Sequence, residues 1–226
     1  MTSFSTLPLH VWLSPAFPVG SFAYSHGLEW AVEAGDVHDA ASVQGWLADL
    51  IGHGAIRTDT FLAALAWKAA AHGEIPALAE LNALALALAG GRERYLETSA
   101  QGSAFVAAAR AAWPCGVLAD FRAAVPGPVA YPVALGLVAA GHQVPLPATL
   151  EAFALAFTAM LVSAAIRLGP IGQTQAQHIT AALLAPVRVL ALQAEHASLD
   201  VPGACAFRSD IAALKHETQY SRLFRS

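Results

Sequence analysis

The chain has 226 residues and a formal charge of −4; 56% of its residues are hydrophobic and only 12% are charged, where about 25% is usual in globular domains. That inventory cannot clothe a monomer in a normally charged surface, so part of the surface is expected to lie against another copy or another protein, a deep apolar ligand cavity being the competing account. The same balance, with an isoelectric point near 6.1, excludes an electrostatic binder of nucleic acid, and two cysteines, Cys115 and Cys205, with no CxxC pair exclude a disulfide scaffold and fit a reducing, cytoplasmic setting.

The first residues, MTSFSTLPLHVWLSP, carry no Lys or Arg before their short apolar run, so no signal peptide is expected. SPAFPVGSFAYSHGLEWA then sets Pro15, Pro18 and Gly20 before a predicted helix that includes Tyr24, His26 and Glu29. Two readings of this segment stand: a rigid N-terminal cap on a bundle, or a mixed polar and aromatic partner surface. From Ser42 to Ile51, apolar residues recur at three- and four-residue spacing, with Asp39 or Ser42 as the cap and Gly52 and Gly54 as the stop. Thr58 or Asp59 is predicted to start the next helix, which ends at Gly73. Another opens at Pro76 and runs to Gly90 and Gly91, and a longer one spans Arg92 to Trp113, stopped by Pro114.

Between Cys115 and Pro147 only short pieces are expected, one of them around Val133 to Ala140. The following stretch, ATLEAFALAFTAMLVSAAIRL, is apolar on nearly every face and belongs at the centre of the bundle or at a subunit interface. Its uncharged part, Ala152 to Ile166, is 15 residues long, short of the roughly 20 that cross a bilayer, so no membrane association is expected. Gly169 and Pro170 break this helix, and a last long one runs from Thr174 to about His196 with Pro186 inside it as a kink or a break. Ser209 is predicted to cap a final helix beginning at Asp210, before the tail HETQYSRLFRS. β-Branched residues form no alternating run, so the fold expected is all-α: a single-domain multi-helix bundle over 1–226 with irregular N-terminal and C-terminal segments.

Local catalytic motifs are missing. No two of the nine histidines are three or four residues apart, which rules out HExxH, and His216–Glu217 is only its first half. There is no GxxxxGK[ST] phosphate loop and no GxSxG elbow. No catalytic, cofactor-binding or metal-ligating residue is therefore assigned. Arg167, the first charge after the long apolar helix, suits a helix C-terminus, a buried ion pair or a contact to another chain. Arg222 and Arg225 flank Leu223 and Phe224, so the tail reads either as a frayed end or as a peptide that orders on docking, with arginine forks and an aromatic anchor.

Three stretches, WLSPAFPVGSFAYSHGLE, LEAFALAFTAMLVSAAIRLGPIGQTQAQHI and SDIAALKHETQYSRLFRS, together resemble the urease accessory protein F family, over essentially the whole chain. The resemblance implies an all-α homodimer that serves urease maturation as an adaptor and is not itself an enzyme. It further implies partnership with accessory protein D (H in some organisms), with the GTPase accessory protein G and with the urease apoprotein, accessory protein E supplying nickel. Ni²⁺ and GTP would then be handled by the partners and not bound by this chain. Candidate partner-binding or structural residues are Tyr24, His26, Glu29, Arg167, Gln173, Tyr220, Arg222, Leu223, Phe224 and Arg225. The alternative is a helical enzyme or carrier with an apolar small-ligand pocket.

Overall fold

In the computed structural model, which describes residues 5–199 and 205–226, eleven α-helices follow one another and the described residues contain no strand. They are α1 (Leu7–Trp12), α2 (Leu28–Glu33), α3 (Ala40–His53), α4 (Ala55–Ala71), α5 (Ile75–Ala87), α6 (Arg92–Ala112), α7 (Gly116–Ala124), α8 (Tyr131–Gly141), α9 (Leu146–Leu168), α10 (Gln173–Glu195) and α11 (Phe207–His216), with a 3₁₀ turn at Ser21–Ala23. The all-α expectation holds.

The centre is α8, whose residues from Pro132 to Ala140 are all buried. It packs chiefly on α4 and α6, with α5, α7 and α9 completing its surroundings. Gly136 sets the approach to α4: a Cβ there would stand 2.3 Å from the Ala63 carbonyl oxygen. The sequence pattern ranked α9 above α8 for the central place, and the structure reverses that order. α9 packs on α10 and α4, and only half of its most apolar window is buried. Being 23 residues long, it is long and apolar enough to cross a membrane by length and composition, because Glu151 and Arg167 extend the helix instead of ending it.

Helix boundaries follow the capping chemistry with some displacements. Asp39 caps α3 through a capping box, its carboxylate accepting the Ser42 N–H at 2.8 Å. Gly52 stays inside α3, and Gly54 alone both ends α3 and begins α4, so α4 starts at Ala55 and not at Thr58 or Asp59. Pro186 lies within α10 without dividing it, and Gln175 reaches back to accept the Gly172 N–H at 2.9 Å, which starts the helix at Gln173. α11 starts at Phe207; Ser209 is a buried residue inside it, donating to the Ala206 carbonyl at 3.0 Å, and does not cap the helix.

Candidate functional site

A buried polar network joins three parts of the chain that are far apart in sequence: the segment from Ser25 to Glu29, the first half of α6, and the end of the chain from His216 onward. Tyr24 and His26 precede α2 and do not belong to it, contrary to the expected helix. Tyr24 is extended and His26 has a φ of 54°. The next residue, Gly27, also has a positive φ and lies so close to α11 that a Cβ would come within 2.5 Å of the Ala213 nitrogen. This turn brings the start of α2 against α11 and directs His26 toward α6.

Glu93, Glu97 and Gln101 recur every fourth residue, so they share one face of α6, and all three are buried. Glu97 Oε1 is 2.7 Å from His26 Nε2 and accepts from the Gln101 amide at 3.1 Å. Its Oε2 accepts from the Arg94 guanidinium at 2.7 Å and from the Ser226 hydroxyl at 3.0 Å. Glu93 accepts from Arg222 at 2.7 Å and faces His216 Nδ1 at 2.6 Å. The other ring nitrogen of His216 stands 3.1 Å from Glu29, so this fully buried imidazole is clasped between two carboxylates. Glu29 also accepts the backbone N–H groups of Leu223 at 2.6 Å and Phe224 at 2.9 Å.

Electrostatics differ across the network. Burial pushes the Glu97 carboxyl up, but His26 and Arg94, through charge and hydrogen bonds, outweigh it and hold the group at about 2. Burial, reinforced by the Arg94 charge, keeps the His26 imidazole below its ordinary value against the opposing pull of Glu97. At neutral pH His26 is therefore a neutral ring. Its Nε2 lies 2.7 Å from Glu97 and 3.1 Å from the Arg94 guanidinium, and the shorter contact to a carboxylate, which can only accept, places the proton on Nε2, while its buried Nδ1 has no hydrogen-bond partner among the described residues. For Asp59, 3.6 Å from Arg94, burial prevails over that guanidinium and, with Glu97 nearby, raises the carboxyl to about 6.

The tail expected to be frayed or to order on docking is packed against its own chain. Ser25 donates from both N–H and hydroxyl to the Ser226 carbonyl, the N–H bond being 2.8 Å, and the Arg225 N–H reaches the Ala23 carbonyl at 2.7 Å. Phe224 is buried, with the Arg167 guanidinium 4.3 Å above its ring, and Arg167 in turn donates to the Phe22 carbonyl at 2.7 Å. Of the residues singled out from sequence, His26, Glu29, Arg222 and Phe224 thus come together, with Arg167 clamping them from the end of α9. Tyr24 is buried beside them. Tyr220 and Leu223 point outward, Arg225 joins through its backbone only, and Gln173 sits exposed at the start of α10, outside the network. Sequence reasoning missed Asp59, Glu93, Arg94, Glu97 and Gln101, and passed over His216. The signal available was the buried-face spacing of Glu93, Glu97 and Gln101.

Among the described residues no group of three or more His, Cys, Asp or Glu side chains is placed to hold a metal ion. The arrangement is a lock that fixes residues 216–226 to the Ser25–Glu29 segment and to α6.

Comparison with known proteins decides the family. The UreF family model matches residues 37–184. The urease accessory protein UreF of Xanthobacter autotrophicus is 55% identical over 98% of this chain and 91% of its own length. Those of Methylobacterium radiotolerans and Azorhizobium caulinodans are 53% and 51% identical, over 97% and 98% of this chain and 96% of theirs in each case. The chain belongs to the UreF family. UreF proteins are urease accessory factors that support urease maturation and are not catalytic enzymes.

Proposed function

We propose that this chain acts as a helical adaptor in urease maturation, a homodimer that joins accessory protein D (or H) and the GTPase accessory protein G to the urease apoprotein for GTP-dependent assembly of the nickel centre. The observation that carries the reading is its similarity, over nearly its whole length, to urease accessory proteins. An adaptor contributes geometry and effective concentration rather than bond chemistry, since tethering two partners on one body makes their encounter intramolecular. Nucleotide and nickel are then held by the partners, accessory protein E delivering the metal, and the assembly works in the cytoplasm. The buried Ser25–Glu29 segment holds the tail in place, and from the tail Tyr220 and Leu223 project into solvent, where a partner could dock. Arg167 and Arg222 act there as structural clamps, each already engaged within the chain.

The deciding experiment is reconstitution of urease from apoprotein, GTP, Ni²⁺ and the complete accessory set, with and without this chain. Activation that depends on the chain, together with its co-elution with accessory protein D or H and the GTPase, is expected. Equal activation without it would overturn the reading. The isolated chain should hydrolyse neither urea nor GTP, and tight retention of one nickel per chain would mean a folded metal site.

A further inference from the structure

Beside the lock, α4, the α5–α6 turn and α11 enclose a cleft of about 170 Å³ that opens to solvent. Four carboxylates line it, Asp59, Glu93, Asp210 and Glu217, against one guanidinium, Arg94. Two of them are already engaged: Glu93 by Arg222 and His216, and Glu217 by the backbone N–H groups that open α6, at 2.7 Å for Arg92. Asp210, exposed on α11, meets the Cys205 thiol 3.6 Å away and no other side-chain donor among the described residues. Asp59, 14% exposed, has the Arg94 guanidinium 3.6 Å away. His26 lines the same cleft, is 3% exposed, and has an unpartnered Nδ1 that can only accept while its Nε2 donates to Glu97. The cleft thus brings together one buried ring nitrogen without a donor, a partly buried Asp59 that Arg94 meets only at 3.6 Å, and an exposed Asp210, with more carboxylates than guanidinium groups in its lining, and a ligand offering several N–H donors and a positive charge complements that set.

We propose that this cleft is a socket for a lysine or arginine side chain presented by a partner polypeptide. The head group would enter between Asp59 and Asp210, its aliphatic stem lying along the cleft wall. The mouth favours a polypeptide as the source: Leu88 and Leu214, which line the cleft, are 39% and 51% exposed, and Ile211 and Phe207 continue the same apolar stripe along α11. A cation flanked by apolar residues complements that rim, whereas a free amine leaves it uncovered. The inference rests on the adaptor reading only for where the side chain comes from; failure of the binding test below leaves urease activation by the chain standing.

The probe is the tripeptide acetyl-Leu-Arg-Leu-amide, titrated into the full isotope-labelled chain and followed by NMR at the Asp59 carboxyl and the His26 ring. Saturable shifts at both groups are expected. The neutral citrulline analogue and n-butylammonium should each bind about tenfold more weakly, one lacking charge and the other lacking rim contacts. A cation at Asp59 favours its ionised form, and the groups facing it are His26, Arg94 and Glu97 with Glu93, Asp210 and Glu217 around the cleft, so binding near pH 6 should release protons. Calorimetric heats should therefore vary with the ionisation enthalpy of the buffer. Asp59→Asn should weaken binding about tenfold, and Asp210→Asn, on the exposed side of α11, about threefold if the first variant does not fold. Absence of saturable shifts, equal binding of butylammonium and peptide, undiminished affinity in the folded variants, or displacement of the peptide by Ni²⁺ alone would each overturn the proposal.

Discussion

Glu29 meets the tail with both carboxylate oxygens, and its side chain is within 3.1 Å of His216 and of two backbone N–H groups. Replacing it by Gln puts an amide donor where at least one of these donors now points, and leaves buried polar groups unmatched. Glu29→Gln should cost about 2–4 kcal/mol in urea denaturation. Hydrogen exchange should quicken at the Leu223 and Phe224 amides while far-ultraviolet helicity stays constant; an unchanged midpoint and unchanged exchange would mean that the tail is held elsewhere. The response to pH follows from three groups. Glu97, at about 2 against an ordinary 4.5, contributes stability that is complete above the unfolded value and is lost as pH falls toward 2. His26, depressed below 6.5, also disfavours the folded chain on acidification, because the unfolded ring takes up its proton first. Asp59, raised from 3.8 to about 6, acts in the opposite sense: the folded chain binds the proton first and gains stability as pH falls through that window. Asp59→Asn should therefore gain on the parent at pH 7 relative to pH 4, by on the order of 2 kcal/mol, in paired denaturation curves at the two pH values. Little of this was legible beforehand. Local spacing pointed to Glu29, Arg222 and Phe224 as unusual, but the bonds between Glu29 and residues 223 and 224 span more than 190 positions of sequence, and no local pattern encodes such a pairing.

At the level of elements, helix ends were the readable part, because capping is a local transaction between neighbouring residues. Asp39 with Ser42 caps α3 as its side-chain chemistry requires. Two of the failures share one cause, tertiary contact overriding a local preference. Ser209 is drawn into the core face of α11 and loses its capping place, and Tyr24 and His26 are held out of a helix by the turn that seats Gly27 against α11. The exchange of rank between α8 and α9 has the same origin. Hydrophobicity measures the tendency to leave water, while the central position also requires close approach, and α8 owes it to a missing side chain at Gly136. Gly136→Ala and Gly102→Ala, whose Cβ atoms would fall 2.3 Å from the Ala63 carbonyl oxygen and 2.0 Å from that of Val129, should each destabilise the fold by roughly 1–3 kcal/mol or more. Gly45, inside α3 with nothing near its would-be Cβ, is the control. Gly45→Ala should stabilise by about 0.5–1 kcal/mol through helix propensity alone. Equal effects at the three sites in guanidinium denaturation would contradict close packing as the reason for the first two.

For the molecule as a whole, the low charge inventory has a structural counterpart outside the lock. There α1, α9 and α10 frame an open groove of about 600 Å³, lined by Leu9, Leu13, Leu155, Leu184 and Val187 among others. Leu184, Val189 and Leu192 stand about half exposed on α10, and Leu7 and Val11 are exposed on α1. The uncovered half of α9 faces this region, so the helix that the sequence placed either at the centre or at a subunit interface is left with an apolar side that its own chain does not bury. Apolar area of this kind is usual where two subunits meet, and a self-complementary face closes a dimer about a two-fold axis. The chain is therefore expected to form a homodimer through the α9–α10 face, with more than roughly 1,000 Å² buried in total. Light scattering over a wide concentration range should give twice 23.4 kDa, and Leu184→Glu combined with Leu192→Glu should shift it to the monomer mass without loss of helicity. Both residues are already half in water, so the monomer itself should tolerate the charges. A parent chain that stays monomeric at every concentration would remove the self-interface and leave the apolar groove to a different protein; a double variant that remains dimeric would move the interface to another face.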